Sequence, residues 1–135
     1  MSDRPRPDSP RAWLDRARSD LALARSAMHT RDVLLEDACF HAQPCAEKCL
    51  KGLLVHRGIS FPRTHAVEAL LDLLKLEGAI DVPVDIDDAI DLSQYAAQTR
   101  YPGDWEPVTD EEADAAIAMA ERVMAWVESQ IGPEG

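Results

Sequence analysis

Apolar residues recur along this chain at intervals of three and four, and no run alternates long enough to read as a strand. Residues 1–9 hold Pro5 and Pro7, with Pro10 next, and read as a disordered or extended leader. Ser9 followed by Pro10 is a capping hydroxyl before a proline at the first helical position, so the first helix is predicted from about Pro10 to His29. Its buried stripe is Trp13, Leu14, Ala17, Leu21, Ala24 and Met28, with Arg16, Arg18, Asp20 and Arg25 facing outward. A second helix runs from about Glu36 to Arg57, stopped by Gly58. After a loop from which Phe61 reaches back to the core, Thr64 caps a shorter third helix from about His65 to Leu76, with Val67, Leu70, Leu71 and Leu74 inward. A fourth is predicted from about Asp85 to Gln98. A loop with two prolines and a glycine follows over 99–107, yet it carries Arg100, Tyr101 and Trp105. Thr109, with Glu112 three residues on, is a capping box for a last helix ending near Ile131. The pattern predicts an all-α fold: an antiparallel helical bundle of about five helices, four long and one short, in one domain over 10–131.

The stretch Phe40–Leu54 has the clearest helical period and the densest chemistry. At about 100° per residue, Lys48 returns to within about 20° of His41, and Lys51 lies about 80° to one side. The opposite side carries Cys39, Ala42, Ala46, Leu50, Leu53 and Leu54. One stripe is therefore cationic and one apolar. Glu47 and Lys51 stand four apart in the favourable order. Pro44 lacks the N–H that would bond the Phe40 carbonyl, which predicts a kink or local opening.

Composition narrows the function classes. At 135 residues there is one domain with room for a core. No stretch approaches the ~20 apolar residues that span a bilayer, so no membrane association is expected. The N-terminus has no apolar core of a secretory signal, and three cysteines do not make a disulfide framework; the expected compartment is the cytoplasm. The net charge of −11 is uneven: residues 1–76 hold 12 Lys+Arg against 10 Asp+Glu, and residues 77–135 hold 2 against 15. Duplex DNA is not an expected partner for such an acidic second half. A phosphate-bearing ligand would sit against the first half, and the acidic half could face a basic partner protein.

Three chemistries are open to these side chains. His41, Cys45 and Cys49 share a helix face, but a closed zinc site needs a fourth ligand, and neither His56 nor His65 has a recognised spacing; no metal and no cofactor are expected. No local sequence marks an activated thiol, and there is no phosphate-binding glycine loop. Metal-free cleavage of RNA needs a histidine beside a cation, for which His41, His65, Arg63 and Arg100 are the candidates.

The ordered pieces FHAQPCAEKCLKGLL, GISFPRTH, LSQY, TRYP and TDEEA, over about residues 12–131, resemble the HEPN family of small prokaryotic domains. The resemblance implies an all-α bundle and a homodimer. It also implies a gene neighbour encoding a small nucleotidyltransferase protein, sometimes as a toxin–antitoxin pair. Its RNase members carry an Arg, four to six residues, then a His. Here no histidine follows Arg100, Arg25 and His29 have three residues between them, and Arg57 and His65 have seven. The resemblance thus implies a non-catalytic accessory domain binding a nucleotide or the nucleotidyltransferase. His41, Lys48, Lys51, Arg63, Arg100 and Tyr101 are the expected ligand-binding residues. The alternatives are an RNase toxin using Arg100 with His41 or His65, and a structural homodimer without ligand.

Overall fold

The computed structural model describes residues 8–92 and 108–133. These form α1 (Pro10–Ala27), α2 (Leu35–His56), α3 (Val67–Leu76), a single turn α4 (Val84–Asp87) continued by a 3-10 turn (Asp88–Asp91), and α5 (Asp110–Ile131). The chain is an all-α helical bundle, with no strand among the described residues.

The helix ends follow from local chemistry. Ser9 Oγ accepts the Ala12 N–H at 3.1 Å, with Pro10 in the first turn. Gly58, at φ 71°, ends α2: its N–H bonds the Val55 carbonyl and the Ile59 N–H reaches back to Leu54 at 2.9 Å. Thr109 and Glu112 form the expected reciprocal capping box on α5. Two boundaries differ from expectation. Helix α3 starts at Val67 rather than His65, because Thr64 Oγ1 takes the Ala66 N–H at 3.1 Å in a tight local turn. The fourth helix is not continuous from Asp85: one α-turn passes into a 3-10 turn through Asp87, Asp88 and Asp91, whose side chains favour caps and turns over helix interiors. Its expected remainder, residues 93–98, lies outside the described residues, as does the loop 99–107 and most of the leader.

Helix α2 is the centre of the bundle, packed on α1 and α5, with α3 beside it. Ala38, Cys39, Ala42, Cys45, Ala46, Cys49, Leu50, Leu53 and Leu54 are all fully buried. Pro44 lies inside α2 without ending it. At Gly52 a Cβ would lie 3.2 Å from Trp13 Cβ and 3.3 Å from the Pro10 carbonyl, so the glycine lets α1 and α2 approach closely. The inward rows of α1 and α5 close the core: Leu14, Ala17, Leu21 and Ala24 from one, Ala113, Ile117, Ala120, Val123, Met124 and Val127 from the other. Burying a leucine or valine side chain contributes roughly 1.5–3 kcal/mol; α2 supplies Leu50, Leu53 and Leu54 to this core and α3 adds Val67, Leu70, Leu71 and Leu74.

Candidate functional site

The polar residues of α2 do not form one open cationic stripe. They divide into two ion-paired clusters, one on each flank of Pro44. In the first, Asp20 of α1 receives Lys48 Nζ at 2.5 Å through Oδ2 and faces His41 Nδ1 at 3.4 Å through Oδ1. Asp20 was expected outward but is buried, 8 % exposed. The α1–α2 contact covers it, and two partners on α2 compensate its charge. Lys48 and His41 remain partly exposed.

In the second cluster, Glu47 is the hub. Its carboxylate accepts Lys51 Nζ at 3.0 Å and meets His65 Nδ1 at 3.1 Å through both oxygens. Lys51, expected on the exposed stripe, is buried at 6 % exposure. Its ammonium lies 5.5 Å from the Trp13 ring centre and 5.9 Å from that of Phe61, and these two rings meet edge to face. The cation is thus held by a carboxylate and two π faces rather than by water. His65 sits above this box with its side chain 88 % exposed. Gln43 Nε2 donates to the His65 carbonyl at 2.9 Å, so the loop before α3 is fastened to α2 at both the backbone and the ring. The Trp13 indole N–H is buried without a hydrogen-bond partner among the described residues.

Both carboxylates are acceptors when ionised, so each imidazole donates from Nδ1 and turns Nε2 outward. That arrangement suits proton transfer, and equally suits fixing a loop. Phosphate clamping is less well served, since Lys48 and Lys51 each already face a buried carboxylate. Arg63 is exposed two residues before His65. Arg100 and Tyr101 lie outside the described residues, so the structure brings together His41 with Lys48, and Lys51 with His65 through Glu47.

The thiols are interior groups. Cys39, Cys45 and Cys49 are free and fully buried. Burial pushes the Cys39 thiol up to about 11, with Glu112 and Glu36 adding to the shift. The Cys49 S–H donates to Cys45, and this bond, then burial, raises Cys49 well above the ordinary thiol range. Neither is a ready nucleophile at neutral pH. Among the described residues, no group of three or more His, Cys, Asp and Glu side chains is placed to hold a metal ion. The spacing of the thiols on α2 reflects close helix packing. No helix among the described residues is long and apolar enough to cross a membrane.

Sequence reasoning missed Asp20, Gln43 and Trp13 as parts of these clusters, and missed Glu47 as a buried hub although it paired Glu47 with Lys51. The signal was present for two of them. Asp20 stands three after Ala17, four before Ala24 and seven after Trp13, within the apolar row of α1. Glu47 stands three before Leu50 and seven before Leu54, within that of α2.

Comparison with known proteins adds the lineage. The sequence profile of the HEPN domain matches residues 10–130. A protein of Methanocaldococcus jannaschii named "Putative toxin MJ1304" is 29 % identical over 126 residues, covering 83 % of this chain and 81 % of its own. The crystal structure of TT1696 from Thermus thermophilus superposes with a TM-score of 0.78 at 35 % identity, over 91 % of this chain and 98 % of that one. That of ST0689, described as an archaeal HEPN homologue, gives 0.74 at 32 % identity, over 92 % and 98 %.

Proposed function

This chain belongs to the HEPN domain family, and from that premise we propose that it is a binding member of a HEPN-type two-component system, assembling with a nucleotidyltransferase partner protein rather than cutting RNA itself. The observation that carries the reading is the neutralisation of the α2 lysines. Lys48 is paired to Asp20 and Lys51 to Glu47, so neither ammonium is left uncommitted for a phosphate. The full sequence supplies no Arg followed at four to six residues by His. The second half offers exposed carboxylates instead, among them Asp85, Asp88, Asp91, Asp110, Glu111 and Asp114. Such a face steers a basic protein surface. A nucleotide remains a second ligand for the same assembly, at His41, Arg63, Arg100 and Tyr101, with Lys48 and Lys51 acting as structural cations held by Asp20 and Glu47.

Calorimetric titration tests the partner reading. A small nucleotidyltransferase protein of the kind the family resemblance implies should give a saturable heat that weakens as salt rises. No heat with that protein at any concentration would overturn the reading.

A second reading is favoured by one observation, the two imidazoles each backed by a carboxylate. An RNase toxin could use His41 or His65 as the proton acceptor with Arg100 as the cation, and a relative of this chain carries the word toxin in its name. RNA cleavage separates the two readings.

A further inference from the structure

The corner where α3 gives way to α4 carries the two most exposed large apolar side chains among the described residues. Leu76 is 82 % exposed and Val84 is 80 % exposed. Lys75 Nζ donates to Asp87 Oδ1 at 2.7 Å and ties the end of α3 to α4. Leu76 follows Lys75 directly, and Val84 stands one helical turn before Asp87, so each exposed residue neighbours one partner of this bridge. Leu73, Ile80 and Val82 of the same corner rest half-buried against the core. One exposed apolar residue is ordinary on any surface; two of this exposure at one bridged corner form a patch. The charge around it is of one sign. Residues 68–91 hold eight Asp and Glu against one Lys, and seven of the eight carboxylates are exposed. The lysine is Lys75, already committed to Asp87.

We propose that this α3–α4 corner docks a basic segment of a partner protein, whose apolar side chains cover Leu76 and Val84 while its Lys or Arg residues meet Glu77, Asp81, Asp85 and Asp88. Charge complementarity selects this occupant. A second copy of the chain would set one strongly acidic corner against another, and nucleic acid or an anionic bilayer would be repelled for the same reason. The carboxylates steer the encounter, and the two apolar side chains supply the contact that persists once water is excluded. Two side chains bury far less than the ~1,000 Å² of a specific interface, so the corner is the anchor of a wider contact. The inference rests on the partner reading only in taking that partner to be a protein. Its test uses peptides, so the docking surface can fail while the nucleotidyltransferase titration succeeds, and the reverse.

Two short synthetic peptides of equal charge locate the contact, one built of Leu and Lys, the other of Ser and Lys. Each is titrated by fluorescence anisotropy into the full chain and into the variant Leu76→Ser with Val84→Ser. Both side chains are exposed, so the variant should keep the helical circular dichroism of wild type. Wild type should bind the Leu–Lys peptide about ten-fold tighter than the Ser–Lys peptide. In the variant that advantage should vanish, while the weaker, salt-sensitive binding of both peptides persists. Leu34→Ser, which removes a 65 % exposed leucine at the start of α2, should leave the advantage intact. An equal advantage in wild type and variant would overturn the proposal, as would its loss with Leu34→Ser or a Leu–Lys peptide that does not bind. Light scattering that showed self-association of wild type, lost in the Leu76→Ser and Val84→Ser variant, would make a second copy the occupant and overturn it too.

Discussion

Lys51 is the side chain on which the α2 flank depends. It and Glu47 are almost wholly buried, and each is the other's main compensation for lost hydration. Truncating one partner of a buried pair typically costs about 3–5 kcal/mol, since the remaining charge is left uncompensated. Lys51→Ala is therefore expected to lower urea-unfolding stability by that order. Lys51→Met combined with Glu47→Gln should recover most of the loss, because no full charge then stays buried. If Lys51→Ala cost less than about 1 kcal/mol, by the scale of exposed pairs, the buried-hub account would fail. At this scale the sequence was only half legible. Periodicity placed His41 and Lys48 together, and the i,i+4 spacing paired Glu47 with Lys51. It could not show that Trp13 and Phe61, 48 positions apart, converge on the Lys51 ammonium, since that contact is made only when α1 and the α2–α3 loop pack. Nor could it show Asp20 beneath Lys48, for the same reason.

Among the elements, α2 carries a cost in its own middle. Pro44 cannot donate to the Phe40 carbonyl, yet the helix runs from Leu35 to His56 around it. Tertiary packing overrides a penalty of about 3 kcal/mol relative to alanine in an exposed helix. Pro44→Ala restores the donor, and the side chain is only partly buried, so little packing is lost. The variant should melt higher than wild type, with a gain on the order of 1 kcal/mol or more; a lower melting temperature would mean that the proline ring itself is needed. Element-level reading worked where periodicity was long and caps were explicit, as at Ser9 and Thr109. It missed the 3-10 turn inside the fourth helix, where four aspartates within seven residues over 85–91 compete for the backbone. It also failed at the start of α3, where Thr64 closes a turn instead of capping.

At the scale of the whole molecule, the protein is a bundle organised by α2, with Lys48 and Lys51 paired to buried carboxylates and its unspent charge on the outer helices. The family and the all-α bundle follow from the sequence pattern and are matched by solved structures. The identity of the ligand was not legible, because the expected phosphate-facing lysines are spent on buried carboxylates that only the folded chain brings together. The central claim is that this protein binds and does not cut. Its most direct test is incubation of single-stranded RNA with a large excess of the purified chain, without added metal, followed by fragment analysis. The account predicts full-length RNA at all times. Fragments ending in 2′,3′-cyclic phosphate, lost on His65→Ala or His41→Ala, would contradict it and make the carboxylate-backed histidines an active site.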